Sequence, residues 1–344
     1  MAATMNDIAR ITGLGLATIS KYLNGGNVLP RNKALIDDAV KELNFTVNTF
    51  ARGLKTKRSH TIGVVIPELN FAFFTSIITH VTDALRKRGY AVLVCDCRTD
   101  VKLEKEMVAF LVDKRVDGIL NIPTNPWGEH LRSALDRGVP IVLIDRMIQR
   151  LAGQVSAVLV DNADASRRAT ALLLDEGHRD IGIILGPKGV YTTERRYAGF
   201  LEAHAQRGLA VWERGTVFSD YTMEGGYAAT KKMLSAPRLP TALFVTNSEM
   251  TLGAGIALNE TRVRIPDDLS LLSFDKPDLV NALFPTLTSV QQPHNAIGES
   301  AANLLLNMQH MDKEPIQHQV AILSTQLQLG TSVRAAPRPK RSSV

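Results

Sequence analysis

The sequence predicts a small all-α helix-turn-helix head followed by an α/β body of two lobes, each with a doubly wound parallel sheet. Two observations lead to this fold class. The residue pattern at 4–25 predicts two short helices joined at a turn. From residue 61, apolar runs of strand length alternate with helical stretches. A chain of 344 residues is long enough for a head and a two-part body.

The head begins with Thr4 and, three residues later, Asp7, which is the spacing of a weak capping box. Gly13 separates the two helices. On the second helix, residues four apart share a face, so Ile19 and Leu23 turn inward while small, polar and basic residues turn outward. Such a helix has the shape that enters a DNA major groove, although a helical hairpin with no nucleic-acid role has the same pattern. A third helix is predicted over 31–43, with an apolar stripe that closes the head.

Charge supports a nucleic-acid role for the head. Residues 1–60 carry nine Lys or Arg and four Asp or Glu, and residues 335–344 carry three basic residues and no acidic one. The body between them has 28 basic and 30 acidic residues, so the formal charge of +6 belongs to the two ends. A basic head on a nearly neutral body is typical of phosphate-backbone binding.

The body shows two successive runs of β–α units. No GxGxxG opens a helix after the first strand and no Walker A lysine is present, which disfavours a dinucleotide- or ATP-dependent enzyme. Strands are predicted at 62–66, 91–95, 118–122 and 141–144, and then at 157–160, 181–185, 242–245 and 270–274. Helices are predicted at 73–88, 101–115, 127–137, 163–176, 193–206, 224–234 and 250–259.

Other classes of site have little support in the sequence. Cys95 and Cys97 lie too close together for a zinc site or a disulfide framework, and we expect no metal and no cofactor. No catalytic constellation can be read, and His178 fits a structural turn. No membrane-length apolar run and no export signal are visible, so we expect a cytoplasmic protein.

Several segments resemble the LacI/GalR family of bacterial repressors. DIARITG and LATISKYLNG match its head, and ARGLKT and TIGVVIP match its hinge and first strand. GVPIVLIDR, DEGHRDIGIILG, RRYAGF, ALFVTNSEM, RIPDDLSLLSFD and PTLTSVQQP match later blocks in order, to about Ser332. The chain departs from the family pattern at Thr12 (for Ala), Gly15 (for Ser), Lys21 (for Arg) and Ser248 (for Asp).

The resemblance implies a division into four parts. These are a helix-turn-helix domain at 1–45, a hinge helix and linker at 46–60, a periplasmic-binding-protein-like effector-binding and dimerisation domain at 61–334, and a disordered basic tail at 335–344. In such a body the chain crosses between lobes three times: after about Val290 it returns to the first lobe, and a last strand near 326–333 returns to the second.

The resemblance also implies how the head binds DNA. Leu16, Ala17 and Lys21 would read bases, phosphate contacts would position the head, and Leu54 of the hinge would wedge into the minor groove beside Arg52. A flexible linker is the alternative interpretation of the hinge. The predicted DNA-binding residues are Thr4, Asn6, Leu16, Ala17, Thr18, Ser20, Lys21, Asn24, Asn48, Ala51, Arg52 and Leu54.

An effector site is predicted from residues that follow strand ends, because ligands of doubly wound sheets bind outside the carboxyl ends of the strands. Carboxylates and a guanidinium around an aromatic platform suit a sugar, and two arginines also suit a sugar acid or sugar phosphate. The resemblance adds Arg196, at the start of the RYAGF block, and Tyr221 and Gln292, which match cleft positions in the family. The predicted effector-binding residues are Asn70, Phe71, Phe74, Asp145, Arg146, Arg196, Tyr221, Asn247, Asp275 and Gln292.

The sequence therefore predicts a homodimeric, DNA-binding transcription regulator that represses carbohydrate-metabolism genes from a pseudo-palindromic operator and responds to a small sugar-like effector. Two other classes stay open: a solute-binding receptor with the same body fold, and an enzyme acting on a sugar or nucleotide. Within the family, the response could instead run by corepression or through a protein partner.

Overall fold

The computed structural model describes residues 3–23, 25–45, 58–275, 286–309 and 317–337. The chain divides into two compact units, Met1–His60 and Thr61–Val344. None of the helices in these ranges combines the length and apolar character that a membrane-spanning segment needs.

The head is a three-helix unit around a small apolar core. Ile8, Ile19 and Ile36 are completely buried, one from each helix, so the predicted inward face of the second helix is confirmed. The Asp7 carboxylate accepts the Thr4 backbone N–H at 2.9 Å, which satisfies a donor at the helix start. The Tyr22 hydroxyl donates to Asp37 at 2.6 Å and ties the second helix to the third. The helices are α1 (Met5–Thr12), α2 (Leu16–Leu23) and α3 (Pro30–Glu42).

The first lobe is built on a six-stranded parallel sheet in the order β11-β5-β4-β3-β1-β2. Apolar side chains cover both of its faces, as expected for a parallel sheet between helices. Its strands are β1 (Thr61–Ile66), β2 (Ala91–Asp96), β3 (Gly118–Asn121), β4 (Ile141–Ile144), β5 (Ser156–Val160) and β11 (Val320–Leu323). Its helices are α4 (Ala72–Arg86), α5 (Val101–Asp113), α6 (Arg132–Asp136) and α11 (His294–Gln309), with short 3₁₀ turns at Glu129–Leu131 and Gln149–Leu151.

The second lobe repeats this arrangement in the order β12-β10-β9-β8-β6-β7. The correspondence holds strand for strand, except that β12 runs antiparallel to β10 whereas β11 runs parallel to β5. Its strands are β6 (Ile181–Leu185), β7 (Thr216–Phe218), β8 (Ala242–Val245), β9 (Ser270–Phe274), β10 (Thr288–Gln291) and β12 (Gln326–Gln328). Its helices are α7 (Asn162–Asp175), α8 (Tyr191–Ala205), α9 (Met223–Leu234) and α10 (Ser248–Glu260).

The chain passes between the lobes after β5, after β10 and after β11, which confirms the predicted crossings. Helix α11 packs its apolar face into the first lobe and β12 returns to the second. One grouping needs correction. The strand predicted at 157–160 stands at the head of the second run in the sequence, but β5 pairs with β4 in the first lobe, because the crossing follows it rather than precedes it.

Glycine allows a close approach between two helices of the second lobe. A Cβ on Gly253 of α10 would lie only 1.9 Å from the Met223 carbonyl oxygen at the start of α9. The two backbones can therefore touch only because this position lacks a side chain. The contact fixes the start of α10, and the residues at that start line the cavity described below.

Candidate functional site

A concave surface on the head collects most of the predicted DNA-binding residues that the structure describes. It is formed where the start of α1 faces the outer side of α2. Leu16 is 48% exposed there, although its side chain is apolar, and Lys21 is also exposed. The surface is lined by Thr4, Met5, Asn6, Leu16, Ala17, Ser20 and Lys21.

The remaining DNA-binding predictions have other outcomes. Thr18 is half-buried and does not line this surface, because its position on α2 is turned away from the outer side. Asn24, Asn48, Ala51, Arg52 and Leu54 lie outside the described residues, as does most of the predicted tail.

A second site is a cavity between the two lobes of the body, at the carboxyl ends of their strands. Its empty space, counted together with the open solvent at its mouth, is about 440 Å³. It is lined by Phe71, Phe73, Phe74, Asp145, Arg146, Thr192, Arg196, Tyr221, Asn247, Ser248, Glu249, Asp275 and Gln292. All predicted effector residues except Asn70 are on this surface. Asn70 is exposed and lies before α4, in the turn that precedes the aromatic residues.

Two carboxylates face this cavity from equivalent positions of the two lobes. Asp145 follows β4 and Asp275 follows β9, and both have positive φ, 67° and 62°. The Asp145 backbone N–H donates to the Val158 carbonyl at 3.0 Å and that of Asp275 donates to the Val290 carbonyl at 2.8 Å. Non-glycine residues in this conformation carry strain, and the neighbouring strand holds each of them in place.

Two buried oxygen atoms at these carboxylates, one of them an oxygen of Asp145 itself, receive no hydrogen bond from any residue the structure describes. These acceptors are Oδ1 of Asp145 and Oε1 of Gln292, whose Nε2 donates to Asp275 Oδ2 at 2.6 Å. Burial raises the pKa of Asp145, although the nearby Arg146 and Arg196 oppose the shift. Arg146 Nε, in the same lining, is a buried donor that makes no hydrogen bond with any described residue. Buried polar atoms without partners are costly, so the lining favours a ligand with both donors and acceptors, such as hydroxyl groups.

Arg196 is a fixed cation in the cavity lining. It is only 4% exposed, and its Nε donates to Asn162 Oδ1 at 2.8 Å while Nη1 donates to the Thr246 carbonyl at 2.6 Å. The guanidinium also lies over the Phe274 ring, 3.6 Å from its centroid. Because these bonds fix its plane, Arg196 presents its charge to the cavity in one orientation.

Aromatic rings form a further part of the cavity lining. Phe71 and Phe74 stack with their centroids 5.9 Å apart and an interplanar angle of 21°, and Phe73 meets Phe74 edge-on at 5.4 Å. Phe73 and Thr192 were not predicted as site residues, because α4 and α8 turn them toward the cavity only after the two lobes face each other. The rings offer a flat apolar surface to a ligand.

Comparison with known proteins identifies the family. A family model described as a periplasmic binding protein-like domain matches residues 170–333. The HTH-type transcriptional repressor PurR of Proteus mirabilis (strain HI4320) is 33% identical over 309 residues, covering 89% of this chain and 90% of the relative. This chain belongs to the LacI family of transcriptional regulators.

Solved structures agree with this assignment. The transcriptional regulator CelR in complex with cellobiose is 28% identical, has a TM-score of 0.73, and is matched over 96% of this chain and 100% of that one. The lac repressor dimer bound to operator and the anti-inducer ONPF has a TM-score of 0.85 over 97% of this chain and 100% of that one. At 23% identity the latter supports the fold alone. This LacI-family member is a DNA-binding transcriptional repressor with a ligand-binding domain, and its relatives are not enzymes.

In this LacI-family regulator, two predicted effector residues form hydrogen bonds within the protein. The Tyr221 hydroxyl contacts the hydroxyls of Thr192 and Thr193 at 3.0 and 2.8 Å. Asn247 caps α10, since its Oδ1 accepts the Met250 N–H at 2.9 Å and its Nδ2 donates to the Tyr221 carbonyl at 3.1 Å. Both residues therefore also hold the cavity wall in shape through these bonds.

Ser248 lacks the carboxylate that the family pattern has at its position, but the next residue supplies one. Glu249 lines the cavity, and burial raises the pKa of its carboxyl group. The lining thus contains three carboxylates and two guanidiniums. Sequence reasoning missed Glu249 because it weighed only the departure at Ser248.

Metal and catalytic chemistry find no further support among the described residues. They contain no cluster of His, Cys, Asp and Glu suited to a metal ion. His178 contacts the Thr241 hydroxyl at 2.8 Å and the Arg334 carbonyl at 2.9 Å, which confirms its structural role.

Proposed function

We propose that this regulator represses carbohydrate-metabolism genes in the cytoplasm, as a homodimer on a pseudo-palindromic operator. We further propose that a sugar-like effector in the cavity controls its affinity for that operator. The boundaries 1–45, 46–60, 61–334 and 335–344 are proposed as its functional parts. Within them, the concave surface of the head would contact DNA and the hinge residues would contact the minor groove.

The observation that carries the sugar assignment is the pairing of unsatisfied acceptors with an aromatic wall. Asp145 Oδ1 and Gln292 Oε1 are buried acceptors in the cavity lining, and the stacked rings of Phe71 and Phe74 belong to the same lining. A sugar has hydroxyl donors at its rim and an apolar face, so its chemistry suits both parts of the lining. The cellobiose bound by CelR is consistent with this chemistry in a similar protein.

The mechanism is a coupling between the cavity and the DNA-binding segments. An effector that contacts both lobes binds better to one arrangement of the lobes than to another. Operator affinity changes only by the difference in effector affinity between the two arrangements, which is typically about 1–3 kcal/mol. Induction and corepression differ only in which arrangement the effector prefers.

A thermal-shift screen with the full-length protein tests the effector class. The panel contains neutral sugars, the matching sugar acids and sugar phosphates, and purine bases. We expect a sugar to raise the melting temperature, because ligand that binds only the folded state stabilises it by mass action. A double variant with Asp145→Asn and Asp275→Asn should no longer show this rise in melting temperature with sugar. A shift with purines and none with sugars would replace the carbohydrate assignment.

Removal of the head tests the DNA-binding part. A variant that begins at Thr61 should no longer retard operator DNA in a mobility-shift assay, while its sugar-dependent thermal shift should remain. Retained site preference after this deletion would refute the assignment of DNA recognition to the head.

A further inference from the structure

A buried carboxylate in the first lobe lies outside the cavity lining. Glu104 of α5 is completely buried, and among the described residues no Lys or Arg side chain lies within ion-pair distance of it. Its oxygens accept the backbone N–H groups of Thr124 at 2.9 Å and Asn125 at 2.8 Å, and the Asn121 side-chain amide at 3.3 Å. Burial raises the pKa of Glu104, and these hydrogen bonds together with the charge of Arg146 oppose that shift, so they favour the carboxylate inside the lobe.

His130 completes the cluster as a neutral donor. Burial lowers the pKa of His130 to about 4. Its Nε2 lies 3.0 Å from Asn121 Oδ1 and 3.3 Å from Glu104 Oε1, and because both oxygens accept, Nε2 carries the proton. The histidine therefore hydrogen-bonds Asn121, whose side-chain amide donates to Glu104, and lies close to the carboxylate without adding a charge.

The segment held by Glu104 reaches the cavity through one carbonyl group. Pro123 precedes Thr124, and its carbonyl accepts Arg146 Nη1 at 3.0 Å. Arg146 lines the cavity, where its Nε lies 3.4 Å from Asp145 Oδ2. Proline has a fixed φ and no N–H, so the bonds on its carboxyl side largely determine where its carbonyl points.

We propose that Glu104 is a positioning residue of the effector cavity: it fixes segment 122–125, whose Pro123 carbonyl orients the guanidinium of Arg146. The inference rests on the proposed function, which assigns Arg146 to the effector site. It adds a residue that no pattern in the sequence singled out, since Glu104 lies in an ordinary amphipathic helix.

The first test is structural and needs no ligand. In the full-length Glu104→Gln variant the amide offers one acceptor where the carboxylate offered two, so a crystal structure should show the Arg146–Pro123 hydrogen bond broken. Exchange of the Thr124 and Asn125 amide hydrogens should also quicken, by about tenfold. Glu106→Gln is the matched control, because Glu106 is exposed on the same helix and its substitution changes the charge equally.

A retained Arg146–Pro123 bond with unchanged amide exchange in Glu104→Gln would overturn the proposal. If that variant does not fold, Glu104→Asp gives the same test, because it keeps the charge but withdraws the oxygens by one methylene. Its crystal structure should show Pro123 and Arg146 displaced together, and an unmoved Arg146 would overturn the proposal.

The second test is a double-mutant cycle in effector binding, with cellobiose and D-ribose as the probes in titration calorimetry. Glu104→Gln and Arg146→Ala should each weaken binding about tenfold, and the double variant should bind no more weakly than Arg146→Ala alone. Additive losses would show that Glu104 acts independently of Arg146. If neither sugar binds the wild type, the sugar that raises the melting temperature in the thermal-shift screen replaces them, and the crystallographic measurement still decides the role of Glu104.

Discussion

Replacement of Arg196 by methionine should reveal how much of the second lobe depends on this buried cation. Methionine keeps the apolar stem but removes the two donors that serve Asn162 Oδ1 and the Thr246 carbonyl. Hydrogen bonds from charged groups contribute about 1.5–3 kcal/mol each, so the two together predict a loss of about 3–6 kcal/mol in the free energy of unfolding. The contact over the Phe274 ring is also lost, although methionine packs against rings in its place.

The assay measures the thermal unfolding of the full-length protein by calorimetry. For a domain of this size the predicted loss corresponds to a fall in melting temperature on the order of 10 °C. Arg195→Met is the matched control, because Arg195 is the neighbouring, exposed residue of the same helix and its substitution removes the same charge. Equal melting temperatures for the two variants would refute the view that Arg196 supports the fold as well as the cavity.

Three further predictions concern DNA binding and pH. Lys21→Ala should weaken binding to the specific operator about tenfold or more in a mobility-shift titration. Lys33→Ala is the control, because Lys33 is exposed but lies outside the concave surface, and it should not weaken binding. Equal losses for the two variants would exclude base reading by Lys21. Leu54→Ala should reduce specific binding far more than nonspecific binding, and parallel losses would argue against a minor-groove wedge. Burial lowers the pKa of His178 below its ordinary 6.5, so the unfolded chain takes up the proton first and stability falls as the pH drops through that range. His178→Gln should flatten this part of the stability profile measured by urea unfolding, and an unchanged slope would contradict the assignment.

The sequence predicts the strands of the body well because burial on both faces demands continuous apolar runs. The runs at 181–185, 242–245 and 270–274 coincide with β6, β8 and β9. Strand β7 escapes notice because it is only three residues long and half-buried, so it carries no such run. The helix predicted at 127–137 shrinks to a 3₁₀ turn and a five-residue α6, since Gly128 has a positive φ that a regular helix cannot contain.

From the residue pattern alone, the candidate site can be found mainly where it lies at the ends of strands. Asp145 and Asp275 can be found this way, because each directly follows an apolar run and the topology brings the two ends together. Glu249 and Thr192 cannot, since they lie in the first turns of α10 and α8 and no strand ends directly before either of them. Nor does the sequence show that Asn247 and Tyr221 have partners already, because those bonds depend on the turn geometry at positions 221 and 247.

The position of Gln292 has a mechanical consequence. It directly follows β10, in one of the three connecting segments that join the lobes. Its side-chain amide donates a hydrogen bond to Asp275. A residue of the cavity lining is thus part of the connection between the lobes. The Gln292–Asp275 hydrogen bond therefore joins the cavity lining directly to a segment through which the chain passes from one lobe to the other.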